Sequence, residues 1–134
     1  MQFHDSVDTD DLNDLSYRII GAGVEVHRAL GPGLLESTYR TCLVYELRER
    51  RMNVVTEQVI PIHYKGLKLE WRYRIDVIVE DTVIVELKSV ETVLPVHHAQ
   101  VLSYLRHTNK PLGLLMNFNV AVLTSGVERI RNGY

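Results

Sequence analysis

The chain has 134 residues, of which 46% are hydrophobic and 24% charged, as expected for one globular domain with a single core. Its formal net charge of −2 gives no overall attraction to nucleic acid or acidic lipid, so such a partner needs a local basic patch or a bound metal. The single cysteine, Cys42, excludes an intramolecular disulfide and a four-cysteine metal cluster. No apolar run approaches the roughly 20 residues of a membrane span, and the polar N-terminus is unlike a signal peptide, which predicts a cytoplasmic protein.

Two helices are predicted in the first part of the chain, after a segment over 1–9 that is expected to be frayed. Apolar residues recur at helical spacing over 12–30, and a second helix is predicted over 35–51. Glu36 lies beside the apolar face of this second helix. It is either a first-turn acid that favours the helix dipole or a side chain that reaches a functional site. Tyr39 lies on the apolar stripe itself and is predicted to pack in the core.

Strands are predicted next. The segments 53–64 and 67–79 alternate between apolar and polar residues, and Pro61 places the first at a sheet edge or gives it a bulge. A short loop at 80–82 leads into 83–89, which is rich in β-branched residues. Its flanking valines and isoleucines indicate that both faces are covered, as in a central strand of an α/β sheet.

The remaining elements alternate between helix and strand. Pro95 suits the first turn of a helix that runs to about Thr108. A buried strand is predicted over 112–118, followed by strand-like segments at 120–124 and 127–130. The order α-α-β-β-β-α-β-β predicts an α/β fold with a central mixed β-sheet flanked by α-helices.

The strand over 83–89 carries charge where charge is costly. Glu86 and Lys88 are two residues apart and point to the same face. An isolated ion in such a place costs several kcal/mol, so a compensating group is required. If Val79 pairs with Val83 across the short loop, Asp76 lies opposite Glu86 on that face. A loop shorter by one residue would separate the two carboxylates across the sheet.

Two carboxylates on neighbouring strands suit a hard divalent cation. Such ions prefer oxygen ligands and retain several waters, and the backbone carbonyl of Leu87 could join Asp76 and Glu86. Lys88 could then orient or deprotonate an attacking water or stabilise developing charge. The alternative without chemistry is an ion pair of Glu86 with Lys88 or Arg74.

Charge counting favours the cation. If Glu36 also reaches the site, three carboxylates face one lysine, and the excess of two negative charges matches a divalent ion. Arg74 shares the face of Asp76 and could neutralise part of that excess. An arginine seated between the carboxylates would argue against a metal site.

The order of these residues resembles that of a known superfamily. Asp76 followed on the next strand by Glu86-x-Lys88, after a helix that bears Glu36, resembles the PD-(D/E)XK nuclease superfamily. The Gln100-x-x-x-Tyr104 element in the next helix is similar to that of its RecB-like branch. The ordered set is more specific than any of its parts.

A narrower resemblance lies at the start of the second helix. The segment 33–39, Gly-Leu-Leu-Glu-Ser-Thr-Tyr, resembles the signature of the small GxxExxY protein family, and the whole resemblance covers about 12–125. The proline that often precedes the motif aspartate is absent, since Arg74 and Ile75 precede Asp76.

The resemblance implies a fold and a function. The fold would be a restriction-endonuclease-like core in one domain over 1–134. The function would be metal-dependent hydrolysis of phosphodiester bonds in DNA or RNA, with Mg²⁺ or alternatively Mn²⁺ as the cofactor. The partner would be nucleic acid, DNA in preference to RNA, engaged as a homodimer or as part of a larger nucleic-acid-processing complex. The alternative from another class is a catalytically inactive module of the same fold that binds nucleic acid or a protein.

The resemblance also implies roles for six side chains and one backbone carbonyl. They are Asp76, Glu86 and the carbonyl of Leu87 as metal ligands, Glu36 as a further ligand directly or through water, Lys88 as the catalytic lysine, and Gln100 and Tyr104 as positioning groups. Without the motif, Gln100 and Tyr104 would be an ordinary pair on a helix surface. His97 either contacts phosphate or caps the start of its helix.

Overall fold

A five-stranded mixed sheet carries helices on both faces in the computed structural model, which describes residues 9–69 and 73–133. Apart from Thr9, the first residue of α1, the segment predicted to be frayed lies outside the described residues. The elements in chain order are α1 Thr9–Leu30, α2 Glu36–Glu49, β1 Val54–Val59, β2 Ile62–Tyr64, β3 Leu67–Leu69, β4 Arg74–Val79, β5 Val83–Lys88, α3 Pro95–Thr108, β6 Leu112–Asn117, a 3₁₀ helix Leu123–Gly126 and β7 Val127–Arg131.

The order of strands in the main sheet is β1-β4-β5-β6-β7. The pair β5 and β6 is parallel and is joined through α3, whereas the other neighbouring pairs are antiparallel. A parallel pair requires such a crossover, and here the crossover helix covers one face of the sheet. The predicted α/β fold with a mixed, helix-flanked sheet is confirmed, and the topology is consistent with a restriction-endonuclease-like core.

Each face of the sheet has its own apolar cluster. Helices α1 and α2 pack with β-strand valines such as Val77 and Val85, and α3 packs with Ile78 and Ile84 on the opposite face. As predicted for a central strand, β5 is buried from Val83 through Leu87. A charged side chain at Glu86 is therefore surrounded by apolar packing, and only the groups beside it can compensate its charge.

Two glycines in α1 differ in what surrounds them, which gives a matched pair of substitutions. A Cβ at Gly23 would overlap the side chain of Met116, whereas a Cβ at Gly21 would meet nothing within 4 Å. We expect Gly23→Ala to be the less stable of the two variants, by about 1 kcal/mol or more, because the Met116 methyl and the Leu123 side chain must shift to admit the Cβ. Gly21→Ala should stabilise it by up to about 1 kcal/mol through helix propensity. Urea unfolding of both variants measures the difference, and equal effects would contradict the close approach of α1 to β6.

The prediction of two long strands over 53–64 and 67–79 is wrong in its continuity. β1 ends at Val59, since Pro61 has no N–H to continue the ladder, and the chain then forms a separate two-stranded sheet of β2 and β3. The second predicted strand is likewise divided into β3 and β4, and 70–72 between them lie outside the described residues. The edge position predicted from Pro61 is confirmed for β1.

The structure differs from the prediction at two further places, one near the C-terminus and one at the end of α2. The segment 120–124 is no strand, because a 3₁₀ helix forms over Leu123–Gly126 and the strand is the later one, Val127–Arg131. The carbonyl of Val120 accepts a hydrogen bond of 2.8 Å from His27 Nε2, which holds this segment against α1. Helix α2 ends at Glu49 rather than at Arg51, whose φ is 62°. Within the described residues, none of the helices combines the length and apolar character that crossing a membrane requires.

Candidate active site

The loop between β4 and β5 sets the register that the site depends on. Val79 pairs with Val83 and Val77 with Val85, as predicted, and this register continued by one residue would bring Asp76 opposite Glu86. At that point the ladder is continued by a side chain, because Asp76 Oδ2 accepts a hydrogen bond of 3.1 Å from the backbone N–H of Leu87. The carboxylate of Asp76 is thereby fixed beside β5.

Glu86 is buried, at 6% exposure, and its two oxygens have different surroundings. Oε2 lies 3.8 Å from Lys88 Nζ, which is an ion pair but too long for a hydrogen bond. Among the described residues, Oε1 is the buried side-chain polar atom that has no hydrogen-bond partner. The ion pair considered as an alternative is therefore formed, but it leaves half of the carboxylate unsatisfied. Such an atom is costly unless another group binds it.

Burial and like charge raise the pKa of both carboxyls. Burial first, and then the charge of Asp76, raise the pKa of Glu86 to about 8 against the opposing charge of Lys88. Burial also raises the pKa of Asp76, while the Leu87 N–H and the guanidinium of Arg40 lower it. Protein groups alone therefore do not supply enough positive charge to keep Glu86 ionised at neutral pH.

The arginine that faces Asp76 is Arg40 of α2, not Arg74. Arg40 Nη1 lies 3.5 Å from Asp76 Oδ1, and Arg40 Nη2 lies 4.0 Å from Glu57 Oε1. Arg74 is exposed. In the described part of the chain no hydrogen bond or ion pair joins Arg40 to Glu86, so the arginine flanks the carboxylate pair and does not fill the space between them. Arg40 also lines a groove of about 570 Å³ between α2 and β1.

Removing the charge of Arg40 should strengthen binding of a bare divalent cation. Arg40 competes for Asp76 and repels any cation held there, so we expect Arg40→Gln to raise Mn²⁺ affinity by about 3- to 10-fold. Isothermal titration calorimetry measures this. Arg48→Gln, in the same groove but without a contact to Asp76, is the matched control. Weaker Mn²⁺ binding in Arg40→Gln would contradict this placement of charge.

Glu36 lies at the edge of the site. Its side chain is exposed, and Oε2 accepts a hydrogen bond of 3.4 Å from the backbone N–H of Ser89. It is close enough to contribute to the raised pKa of Glu86, after burial and Asp76. Within residues 9–69 and 73–133, no three His, Cys, Asp or Glu side chains form a ready-made metal cluster. Glu36 therefore adds negative charge to the site without completing a three-carboxylate cage.

Tyr39 anchors the turn that places Glu36. Its ring is fully buried and stacked on Phe118, with ring centroids 4.5 Å apart, in agreement with its prediction as a packing residue. The Tyr39 hydroxyl donates to the carbonyl of Gly31 at 2.6 Å and accepts from Leu34 N at 3.1 Å. These contacts fix the turn that precedes α2.

Helix α3 presents the two remaining predicted residues. Gln100 Nε2 donates a hydrogen bond of 2.7 Å to the hydroxyl of Tyr104. Burial first, and then the charge of Glu86, raise the pKa of Tyr104 to about 12, although the hydrogen bond from Gln100 lowers it. Tyr104 thus lies close to the carboxylate pair with its hydroxyl protonated. His97 caps its own helix, because its Nδ1 accepts a hydrogen bond of 3.0 Å from Leu94 N.

The donor set fits a hard divalent cation. When the carboxyl groups of Glu36, Asp76 and Glu86 are all ionised, the two neighbouring cations, Lys88 and Arg40, leave an excess of one negative charge. The sequence predicted an excess of two, because it did not place Arg40. The unsatisfied Glu86 Oε1 is an oxygen ligand of the kind that Mg²⁺ and Mn²⁺ prefer.

Sequence reasoning missed two residues of the site. Arg40 follows Glu36 by one helical turn and so lies on the same stripe, a spacing that would have pointed to it. Asn117, at the end of β6, accepts from Val90 N at 3.1 Å and donates to Val90 O at 2.9 Å. It thereby holds the chain where it leaves β5, close to Lys88. No local pattern marks that role, because it depends on the parallel pairing of β5 with β6.

Comparisons with known proteins identify the superfamily of the chain. The family model for the PD-(D/E)XK nuclease superfamily matches residues 13–130, which is most of the chain and includes every candidate residue above. Searches of curated proteins and of solved structures gave no significant match. Nucleases of this superfamily generally use divalent metals, and they act on nucleic acids. The chain belongs to the PD-(D/E)XK nuclease superfamily.

Proposed function

We propose that this chain is a metal-dependent nuclease that hydrolyses phosphodiester bonds of DNA or RNA. The observation that carries the proposal is the buried Glu86 carboxylate, which has one oxygen unsatisfied, a second carboxylate beside it and a lysine within 4 Å. In a structural ion pair both oxygens would be expected to have partners. A site prepared for a cation explains the unsatisfied one.

We further assign the chain to the GxxExxY family within the RecB-like branch. Each signature residue has a physical task that supports the assignment. Gly33 has φ of 99°, a conformation that favours glycine. Glu36 faces the end of β5, where it accepts a hydrogen bond from Ser89 N. Tyr39 fixes the turn that precedes α2 through its hydrogen bond to the carbonyl of Gly31. We also propose a single domain over 1–134, since one sheet carries both apolar clusters.

Asp76, Glu86 and the backbone carbonyl of Leu87 would hold Mg²⁺ or Mn²⁺, with Glu36 as a further ligand directly or through a water. When bound, the ion supplies Lewis acidity at the scissile phosphate and lowers the pKa of a water. Asp76 is oriented for this task by the Leu87 N–H, and Glu86 by the packing around β5. The protein thus presents oxygens whose positions are fixed before the ion arrives.

Lys88 and Tyr104 act on the substrate side of these carboxylates. The Lys88 ammonium would donate hydrogen bonds to the phosphate oxygens on which negative charge develops during attack by water. The protonated hydroxyl of Tyr104 would donate to a phosphate oxygen or to a water, while Gln100 holds it in place through their 2.7 Å hydrogen bond. The chain therefore offers hydrogen-bond donors, on Lys88 and Tyr104, next to the carboxylate oxygens of Asp76 and Glu86.

A cleavage assay separates this proposal from an inactive module of the same fold. Purified protein is incubated with single- and double-stranded DNA and RNA, with Mg²⁺, with Mn²⁺ or with EDTA. We expect cleavage that requires metal and favours DNA. Binding without cleavage in every condition would instead support the module, and would agree with an Arg40 that already neutralises part of Asp76. Light scattering on the same preparation, with and without oligonucleotide, gives its molar mass and so shows whether a homodimer forms.

A further inference from the structure

The hairpin of β2 and β3, residues 62–69, projects from the end of the main sheet that holds the carboxylates. β4 begins at this end with Arg74 and runs away from it, whereas the antiparallel β5 runs toward it and ends at Lys88. Asp76 and Glu86 lie within two residues of those two termini. The hairpin therefore departs from the sheet beside the candidate active site.

The base of the hairpin is held in place while its tip is exposed. At the base, Ile60 is fully buried and its N–H donates a hydrogen bond of 2.9 Å to the carbonyl of Tyr73, and Ile62 packs against the cluster beneath α3. At the tip, Tyr64 and Leu67 face each other across the strands with 58% and 60% of their surfaces exposed. The tip therefore presents two large apolar side chains to solvent side by side.

The chemistry of the tip is cationic and aromatic. Residues 59–69 contain two lysines and one histidine and no acidic residue, in a chain whose net charge is −2. Lys65 and Gly66 form the turn, both with positive φ, and Lys65 Nζ lies 5.4 Å from the centre of the Tyr64 ring. The ring and the ammonium are thus presented side by side. Arg74 adds an exposed guanidinium at the base.

We propose that this hairpin grips single-stranded nucleic acid beside the cleavage site, with Tyr64 stacked on an unpaired base and Lys65 and Arg74 on neighbouring phosphates. Proteins that bind single-stranded nucleic acid without reading its sequence stack aromatic rings on the bases and place cations along the phosphate backbone. Three residues of β-strand separate the tip of the hairpin from its base near Tyr73, a distance of about 10 Å. A single-stranded nucleic acid of a few nucleotides is therefore long enough to reach from the tip to the carboxylates. The proposal rests on the proposed nuclease function and adds the form of its substrate.

Fluorescence anisotropy tests the proposal on the full chain, with a labelled single-stranded oligonucleotide in EDTA so that nothing is cut. We expect Tyr64→Ala to weaken binding by about 5- to 100-fold, as loss of one base stack does. Lys65→Ala should lower the slope of log affinity against log salt by about 0.7, the value for one lost phosphate contact. The controls are Tyr17→Ala, an exposed tyrosine on α1, and Lys110→Ala, which pairs with Asp81 at the other end of β4. Neither control should change binding.

The outcomes are separable from those of the nuclease assay. Loss of single-strand affinity in Tyr64→Ala, with a smaller loss for a fully paired duplex, supports the grip. Unchanged affinity in both hairpin variants overturns it, and so does a parental chain that binds no single strand. In either case metal-dependent cleavage by the same parental protein leaves the proposed nuclease function standing, whereas its absence removes both.

Discussion

Lys88→Ala should abolish metal-dependent cleavage while the protein remains folded, with a fall in rate on the order of 10³-fold. Lys88 is the cation of β5 beside Glu86, and its Nζ lies 3.8 Å from Glu86 Oε2. Its removal leaves Glu86 free to bind a proton, because the pKa of that carboxyl, already raised to about 8 chiefly by burial, then rises further. The fold therefore avoids a buried unpaired charge at neutral pH. Cleavage rates at saturating Mg²⁺ and thermal melting of both proteins check this.

Lys110→Ala is the matched control for this substitution. Its side chain is about as buried as that of Lys88 and also forms an ion pair, with Asp81, but at the opposite end of β4. We expect Lys110→Ala to cleave at the parental rate. Parental activity in Lys88→Ala, or an equal loss in both variants, would contradict the role of Lys88.

Glu86→Gln should make the metal-free protein more stable at alkaline pH and remove its response to metal. The substitution keeps the shape of the side chain and removes a charge that burial disfavours. At pH 9 in EDTA we expect stabilisation on the order of 3 kcal/mol, or roughly 10 °C in Tm. Added Mn²⁺ should raise the Tm of the parental protein and not that of the variant.

The stabilisation should depend on pH in a defined direction. The pKa of Glu86 is raised from 4.5 to about 8 in the folded protein, chiefly by burial, so between these values the folded state binds more protons than the unfolded state. The stability of the metal-free parental protein therefore falls as pH rises from about 4.5 to 8. Glu86→Gln lacks this fall in stability. The Tm values of the two proteins should therefore be similar near pH 5 and should differ increasingly as the pH is raised above it.

Glu128→Gln provides the comparison for an exposed carboxylate. Glu128 lies on β7 and pairs with His98 at the surface, where loss of charge should change stability by less than about 1 kcal/mol. A large loss of stability in metal-free Glu86→Gln at every pH would show instead that Glu86 belongs to a structural ion pair with Lys88.

The sequence predicted the site through short-range rules. The three-residue loop at 80–82 set the register that joins Asp76 to β5, and the β-branched run identified the central strand. Pro95 and the helical spacing after it placed Gln100 and Tyr104 on one helix. These features are local, so periodicity and turn length determine them.

The rest of the structure depended on contacts distant in sequence. Pro61 predicted an edge or a bulge, but it could not tell whether the chain after it returns to the main sheet or forms a second one. Arg40 was missed as a partner of Asp76 because the packing of α2 against β4 brings them together from 36 residues apart. The segment 120–124 has strand-like composition, yet its Val120 carbonyl bonds to His27 from α1.

The most direct test of the site is calorimetric titration of Mn²⁺ into the protein at pH 7 in buffers of different ionisation enthalpy. If Asp76 and Glu86 hold the ion, binding displaces the proton from Glu86, whose pKa is about 8, so nearly one proton should be released per ion bound. At pH 9 the release should nearly vanish, and Asp76→Asn should bind no ion. An ion that binds without proton release at pH 7, or that binds equally well to Glu86→Gln, would contradict a metal site built on these two carboxylates.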